Sequence, residues 1–194
     1  MREAEIRRKT NETDVYVKIN IDGKGNSSID TGIGFLDHML TLFSKHGLFD
    51  LQVVAKGDLH VDTHHTVEDV GITLGQAFLK ALGDKMSIKR YGVSYVPMDE
   101  ALLRTVIDIS GRPYLYYKLR LGSTLLGNFE TETVEDFFRA FAFNSLITLH
   151  VEMLHGRNTH HIIEGAFKSL GRALDEATKI DDRVDGVPST KGSL

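Results

Sequence analysis

The spacing of apolar residues in the first half of the chain predicts alternating strands and helices. Apolar and polar residues alternate in three segments, which is typical of strands with one buried face, and a glycine-rich segment predicts a turn. Two further segments place their apolar residues at helical spacing. Strands are expected over 15–21, after the turn at 23–26, and over 51–61, with helices over 31–45 and 64–82. The predicted order is β-β-α-β-α, with Thr63 as the expected N-cap of the second helix.

The second half shows the same kinds of pattern. Strands are expected over 93–96, 102–109, 114–121 and 147–153, and helices over 132–143 and 160–178. Short motifs also recur in matching order: His64-His65-Thr66-Val67-Glu68 aligns with His160-His161-Ile162-Ile163-Glu164, Leu74-Gly75 with Leu170-Gly171, and Leu36-Asp37-His38 with Val134-Glu135-Asp136. We therefore predict an α+β fold of two β-β-α-β-α repeats, about 1–90 and 91–194, each a sheet with helices on one face. The repeats are expected to pack as a single domain, 1–194.

Composition narrows the chemistry to imidazoles and carboxylates. The 194 residues are 41% hydrophobic and 26% charged, an ordinary globular balance, and no apolar run approaches the ~20 residues of a membrane span. The net charge of −4 gives no general attraction to nucleic acid. The first eight residues lack the apolar stretch of a signal peptide, so a cytoplasmic location is expected. There is no cysteine, which excludes disulfides and thiolate sites, whereas there are nine histidines.

The repeated His-His-x-x-Glu motif predicts a metal site. Each residue of a helix is rotated by about 100° around the helix axis, so the side chains of two adjacent histidines point in different directions. The side chain of Glu68 projects in a direction between those of His64 and His65. We expect each histidine of a pair to bind a different ion, and the second copy to supply His160, His161 and Glu164. Imidazole and carboxylate ligands suit Mn²⁺, Fe²⁺ or Zn²⁺.

The other histidines differ in their expected roles. His38 and Asp136 share one position of the repeat, and both residue types bind such metals, so they are candidates to complete the sites. His60 is expected on a solvent-facing strand and His155 in a loop, both without a special role. His150 is expected on the polar face of its strand, where an exposed or supporting position is favoured over the role of a ligand.

Several isolated basic or hydroxyl groups near turns could bind an anion. Arg112 lies between Ser110-Gly111 and Pro113, a turn that could direct its guanidinium at a phosphate. Arg90, Lys168 and the segment 188–192 are further candidates, although each alone is typical of a solvated surface. No phosphate-binding glycine-rich loop is present.

Longer motifs resemble the imidazoleglycerol-phosphate dehydratase family. They are Gly32-Ile33-Gly34-Phe35-Leu36-Asp37-His38-Met39-Leu40, Gly57-Asp58-Leu59-His60-Val61-Asp62-Thr63-His64-His65-Thr66-Val67-Glu68-Asp69, Val96-Pro97-Met98-Asp99-Glu100-Ala101, Asp108-Ile109-Ser110-Gly111-Arg112-Pro113-Tyr114, Gly156-Arg157-Asn158-Thr159-His160-His161-Ile162-Ile163-Glu164 and Pro188-Ser189-Thr190-Lys191-Gly192. The resemblance extends from about Arg7 to the end of the chain. It implies a fold like ribosomal protein S5 domain 2.

The resemblance also implies a cofactor, a substrate site and an assembly. Two Mn²⁺ per active site would be held by His38, His64, His65, Glu68, Asp136, His160, His161 and Glu164. Relatives have histidine or glutamate where this chain has Asp136, so His150 is the reserve candidate for this ligand. Substrate contacts would come from Glu12, His46, Arg90, Arg112, Lys168, Ser189 and Lys191. Trimers of this chain would form a 24-subunit shell, with active sites completed between subunits.

The implied reaction removes water from imidazole glycerol phosphate to give imidazole acetol phosphate. Two cations, one on each ring nitrogen, would bind the substrate as imidazolate and let the ring carry the charge left by a carbon-bound proton. Glu12 is the candidate general acid and base. The alternatives are a dinuclear phosphate-ester hydrolase, and a metal-storage or structural shell without catalysis.

Overall fold

The computed structural model describes all 194 residues as ten strands and four helices. The first half contains β1 (Glu3–Lys9), β2 (Thr13–Asn20), β3 (Ser27–Asp30), α1 (Gly34–Gly47), β4 (Asp50–Gly57) and α2 (His64–Leu82). The second half contains β5 (Tyr91–Met98), β6 (Ala101–Asp108), β7 (Tyr114–Lys118), the short β8 (Leu125–Leu126) and β9 (Phe129–Glu130), α3 (Thr133–Asn144), β10 (Thr148–His155) and α4 (Thr159–Thr178). No helix is long and apolar enough to cross a membrane.

The two halves have the same topology, which confirms the predicted duplicated α+β fold. The strand order is β1-β2-β4-β3 in one sheet and β5-β6-β10-β7 in the other. In each sheet, the edge strand β3 or β7 pairs in parallel with β4 or β10, and all other pairs are antiparallel. Each repeat begins with three strands of its four-stranded sheet before its first helix. The three in the second repeat were predicted, whereas β1 in the first repeat was not.

The connection between β4 and α2 differs from the prediction. Leu59 and Val61 lie in a turn rather than in a strand, because β4 ends at Gly57. Thr63 has helical backbone angles and its side chain does not cap α2. The Asp62 carboxylate instead accepts a hydrogen bond of 2.8 Å from the His64 backbone N–H, so a carboxylate satisfies the donor at this helix start.

The helices lie on the inner faces of the two sheets and pair across the repeats. Helix α2 packs on β1 and β2, and α4 packs on β5 and β6. Helix α1 packs against α4, and α2 packs against α3. One cluster of 44 buried apolar residues includes side chains from both halves, so the halves share a core. The pairing across repeats brings the first turns of helices from different halves together.

Two glycines in the repeated motif allow the helix pairs to approach closely. A Cβ on Gly171 of α4 would lie 2.5 Å from the Phe43 carbonyl oxygen of α1, and a Cβ on Gly75 of α2 would lie 2.8 Å from the Phe141 carbonyl oxygen of α3. Since real Cβ atoms do not approach backbone this closely, any larger residue would push the helices apart.

Candidate metal centre

Helices α1 and α4 bring two histidines and a glutamate together, and we call this group the α1–α4 cluster. The His38 Nε2 atom lies 3.5 Å from Glu164 Oε2, and the His160 Nε2 atom lies 3.2 Å from the same oxygen. One ligand atom from each of the three residues lies within 4.8 Å of the others. His160 and Glu164 are one helical turn apart, so the i,i+4 spacing on α4 places both on the face that meets α1.

Helices α2 and α3 form a second group, the α2–α3 cluster. The His64 Nδ1 atom lies 3.5 Å from Asp136 Oδ2, and the His64 Nε2 atom lies 3.9 Å from Glu68 Oε2. Glu68 forms no ion pair with His65, although helix geometry placed it between the two rings. Asp136 corresponds to His38 in the repeat, so the two clusters are related by the duplication and each takes side chains from both halves.

The two clusters differ in charge and exposure. The Lys168 Nζ atom lies 2.5 Å from Glu164 Oε1, and the Glu164 side chain is buried. The repeat equivalent of Lys168 is Ile72, and Glu68 is exposed. The α2–α3 cluster therefore has two carboxylates and no basic partner, whereas the α1–α4 cluster has one carboxylate that is already paired.

Opposing effects act on Glu164. Burial disfavours its charged form, but the hydrogen bond and charge of Lys168, together with His160 and His38, outweigh burial and lower the pKa of the carboxyl. Glu164 is therefore an anionic oxygen donor at neutral pH.

Each histidine pair diverges as the helix geometry predicted. The ring planes of His64 and His65 are 89° apart, with centroids separated by 6.2 Å. His160 and His161 have the same centroid separation and an angle of 80°. The first histidine of each pair enters a cluster, and the second points elsewhere.

His65 faces two carboxylates outside the clusters. Its Nδ1 atom lies 3.0 Å from Asp58 Oδ2, just before α2, and 3.9 Å from Oε2 of Glu12 in the β1–β2 turn. The hydrogen bond to Asp58, with Glu12 adding charge, raises the pKa of His65. Glu12, the predicted acid and base, thus lies beside a predicted metal ligand.

His161 has the equivalent surroundings in the second repeat. Its Nδ1 atom lies 2.8 Å from Oε2 of Glu100, and its Nε2 atom lies 3.8 Å from Oδ2 of Asp99, both in the β5–β6 turn. The hydrogen bond raises the pKa of His161, and the same bond, followed by that from the Asn158 backbone N–H, lowers the pKa of Glu100 to about 2.

Four of the predicted phosphate ligands come together beside β6. The Arg90 guanidinium donates to both Asp108 oxygens, at 2.7 and 3.2 Å, and donates to the Pro188 carbonyl at 2.9 Å. The Arg112 Nη2 atom lies 3.7 Å from Asp108. Because Arg90 binds the Pro188 carbonyl, the adjoining segment with Ser189 and Lys191 lies close to the arginines. The Lys191 backbone N–H donates to the Ser189 hydroxyl at 3.2 Å.

The structure places the other three predicted substrate ligands outside this group, and one of them, Glu12, lies beside His65 as described above. Lys168 pairs with Glu164, as described above. His46 lies near the end of α1, where burial and then the charges of Lys168 and Arg172 lower its pKa. His46 and Lys168 therefore lie on two helices, α1 and α4, that pack against each other.

The remaining three histidines lie outside both clusters. His60 is exposed in the turn after β4 rather than on a strand. His155 ends β10 rather than lying in a loop, and its Nδ1 atom is 3.0 Å from the Glu100 carbonyl oxygen. The His150 ring stacks on Tyr116 with centroids 5.1 Å apart, on the exposed face of the sheet. Asp136, and not the reserve residue His150, contacts a motif histidine.

Asp58, Glu100 and Asp108 contact predicted site residues but were not predicted themselves. The Glu100–His161 contact joins residues 61 positions apart. No helical or strand period connects them, and their only signal was their place within the quoted family motifs.

The available donors fit the predicted ion. Each cluster offers imidazole nitrogen and carboxylate oxygen, and the chain has no thiolate. This mixture suits a borderline divalent cation such as Mn²⁺. The acidic α2–α3 cluster also offsets the unfavourable dipole that a cation meets at a helix N-terminus.

Comparisons of this chain with a family model and with known proteins all identify the same family. A family model described as imidazoleglycerol-phosphate dehydratase matches residues 31–174. Proteins of that name from Caldanaerobacter subterraneus subsp. tengcongensis and Thermoanaerobacter pseudethanolicus are 73% and 72% identical over 194 residues, covering 100% of each chain.

Solved structures agree with this. The crystal structure of imidazoleglycerol-phosphate dehydratase from Staphylococcus aureus has a TM-score of 0.83 at 44% identity and covers 92% of this chain and 99% of its own. The structure of IGPD from Pyrococcus furiosus has a TM-score of 0.84 at 39% identity, with 97% and 100% covered. The chain belongs to the imidazoleglycerol-phosphate dehydratase family, the hydro-lyases of histidine biosynthesis.

Proposed function

We propose that the chain dehydrates imidazole glycerol phosphate to imidazole acetol phosphate at a dinuclear metal site. The observation that carries this proposal is the pair of repeat-related clusters, each combining imidazole and carboxylate donors from both halves. A substrate ring with two nitrogens matches a site with two ions. Membership of the family supplies the reaction class.

The proposed cofactor is two Mn²⁺ per active site. The proposed ligands are the members of the two clusters together with the second histidine of each pair: His38, His64, His65, Glu68, Asp136, His160, His161 and Glu164. When bound, the two ions would act as Lewis acids that favour the imidazolate form of the substrate ring.

The chain's own residues would move the proton and hold the phosphate. Glu12, exposed beside His65, would take the carbon-bound proton or supply the proton with which the hydroxyl leaves as water. Arg90 and Arg112 would bind the phosphate, with Ser189 and Lys191 from the adjoining segment. His46 on α1 and Lys168 on α4 would also contact substrate.

We also propose that active sites are completed between copies of the chain, in trimers that form a 24-subunit shell. His65 and His161 point away from the clusters of their own chain, which supports a role toward a neighbouring copy. The second sheet exposes large apolar side chains, including Val93, Tyr95 and Tyr116, which is typical of an interface. The cytoplasmic location stays a prediction.

The purified chain should form a ketone from imidazole glycerol phosphate, lose this activity on chelation and regain it with Mn²⁺. Glu12→Gln should lower kcat by about 100-fold or more while Mn²⁺ binding stays unchanged, because Glu12 would act on the proton and not on the metal. Product is measured by its carbonyl group. Activity that survives exhaustive chelation would contradict the metal site, and release of inorganic phosphate would favour a phosphate-ester hydrolase.

A further inference from the structure

The second histidine of each pair is held by a carboxylate from outside its own helix. The His65 Nδ1 atom lies 3.0 and 3.3 Å from the two oxygens of Asp58, and the His161 Nδ1 atom lies 2.8 Å from Glu100 Oε2. In both cases the contact is made through the same ring nitrogen. The duplicated chain has thus built the same contact twice from different parts of the repeat, a loop before α2 and the β5–β6 turn.

We infer that Asp58 and Glu100 are positioning residues that fix the tautomer and orientation of His65 and His161. A carboxylate accepts a hydrogen bond from Nδ1–H, which leaves the unprotonated Nε2 as the ligand atom for a cation. The inference rests on the proposed metal site, and it concerns side chains to which the proposed function assigns no part.

Glu100 is itself held firmly in place. Its Oε1 atom accepts hydrogen bonds from the backbone N–H groups of Arg157 and Asn158, at 3.2 and 2.7 Å. The Asn158 side chain in turn caps α4 by accepting from the backbone N–H groups of His160 and His161. This network joins the β5–β6 turn to the first turn of α4, and only Oε2 of Glu100 is left to face His161.

The two carboxylates therefore respond differently to replacement by an amide. In Glu100→Gln, the two backbone donors require the amide oxygen at the Oε1 position, so the amide NH₂ meets Nδ1 of His161. A donor at Nδ1 forces the ring proton onto Nε2, which blocks that atom as a ligand. In Asp58→Asn, both carboxylate oxygens already face Nδ1 of His65, so the amide oxygen can take up the acceptor position.

Binding of Mn²⁺ to metal-free protein, followed by the electron paramagnetic resonance signal of free Mn²⁺, tests this inference. Loss of a side chain that hydrogen-bonds to a metal ligand typically weakens metal affinity by about 10–100-fold. We expect a loss of this size in Asp58→Ala, Glu100→Ala and Glu100→Gln, with Asp58→Asn close to the unmodified chain. Glu100→Gln keeps the backbone hydrogen bonds, so it separates the tautomer from folding of the turn.

Asp14→Asn is the matched control. Asp14 is also a carboxylate held by a side chain, Arg7, at 2.7 Å, but it lies on the outer face of β2 and contacts no histidine. Its replacement should leave Mn²⁺ affinity unchanged. Far-ultraviolet circular dichroism of each variant checks that the fold is retained.

The possible failures are distinguishable. Unchanged affinity in Asp58→Ala and Glu100→Gln, with normal binding by the unmodified chain, would overturn the positioning role alone. Equal losses in Asp58→Asn and Asp58→Ala would contradict the tautomer argument for His65. Absence of Mn²⁺ binding by the unmodified chain would overturn the inference together with the proposed metal site.

Discussion

Asp136 and His38 occupy one position of the two repeats but offer different ligand atoms. Both start from the first turns of a helix, and both face the first histidine of the motif in the other half, at 3.5 Å in the case of Asp136. An aspartate oxygen lies closer to its own backbone than an imidazole nitrogen does. A cation in the α2–α3 cluster would therefore have to lie closer to α3, or Asp136 would bind it more weakly than a histidine would.

Replacing Asp136 tests whether it is the eighth ligand. Asp136→His should keep or raise the affinity for Mn²⁺, because it restores the donor present at the equivalent position, whereas Asp136→Ala should lower it by about tenfold or more. Equilibrium dialysis measures the bound metal. His150→Ala is the control and should have no effect. If both Asp136 variants bind normally and His150→Ala does not, the ligand role belongs to His150.

Single residues were predictable where helix geometry alone decides their direction. His64 and His65 point in different directions because each helical residue is rotated by about 100° around the axis, and the structure shows their ring planes 89° apart. The partners of the second histidines were not predictable, because Asp58 and Glu100 reach them from a turn and a hairpin. Their positions depend on how the chain folds in three dimensions and not on any local period.

At the scale of elements, the helices were easier to predict than the edges of the sheets. Long amphipathic patterns identified α2 and α4, whose buried faces repeat over several turns. β1 was missed because only Ala4 and Ile6 are apolar in its seven residues, and it pairs with β2 through backbone hydrogen bonds that any residue can form. The pairing of helices across the repeats could not be predicted either, since the apolar face of a helix does not identify the helix against which it packs.

The close crossing of α1 and α4 gives a prediction for Gly171. In Gly171→Ala, the new methyl group would lie 2.5 Å from the Phe43 carbonyl oxygen, so the helices must separate. We expect a loss of about 1–3 kcal/mol in the free energy of unfolding, typical of overpacking. Because His38 and Glu164 lie on these two helices, Mn²⁺ affinity should also fall.

Gly34→Ala provides the control for this prediction. Gly34 is the first residue of α1, and an added Cβ there would meet nothing within 4 Å. The same substitution should leave stability unchanged or raise it by up to about 1 kcal/mol. Denaturant unfolding measures both variants, and a Gly171→Ala chain as stable as Gly34→Ala would show that the crossing tolerates a side chain.

On the scale of the whole molecule, the outer faces of the two sheets differ. The first sheet exposes charged side chains such as Arg7, Lys9 and Lys56, whereas the second exposes aromatic and aliphatic ones such as Tyr95 and Tyr114. Charged faces favour solvent and apolar faces favour association, so copies of the chain are expected to meet mainly through the second sheet.

Metal and assembly should depend on the same histidines. His65→Ala and His161→Ala should lose bound Mn²⁺ and also sediment as smaller particles, because each would remove a link between copies. Sedimentation velocity with and without chelator measures this. His60→Ala, an exposed histidine in a turn, is the control and should sediment like the unmodified chain. Full metal occupancy in both variants would contradict their role as ligands.

The exchange of helices between the repeats also bears on how such a chain could arise. A single repeat contains α1 and α2 but neither complete cluster, so an ancestral half-length protein would have needed a symmetric dimer to build one. In that dimer the two clusters would have been identical. In a single chain that carries both repeats, equivalent positions can differ, as Lys168 and Ile72 do, and as His38 and Asp136 do. Under the proposed function, two unlike clusters would let the site distinguish the two nitrogens of a substrate ring that carries one substituent, which two identical clusters could not do.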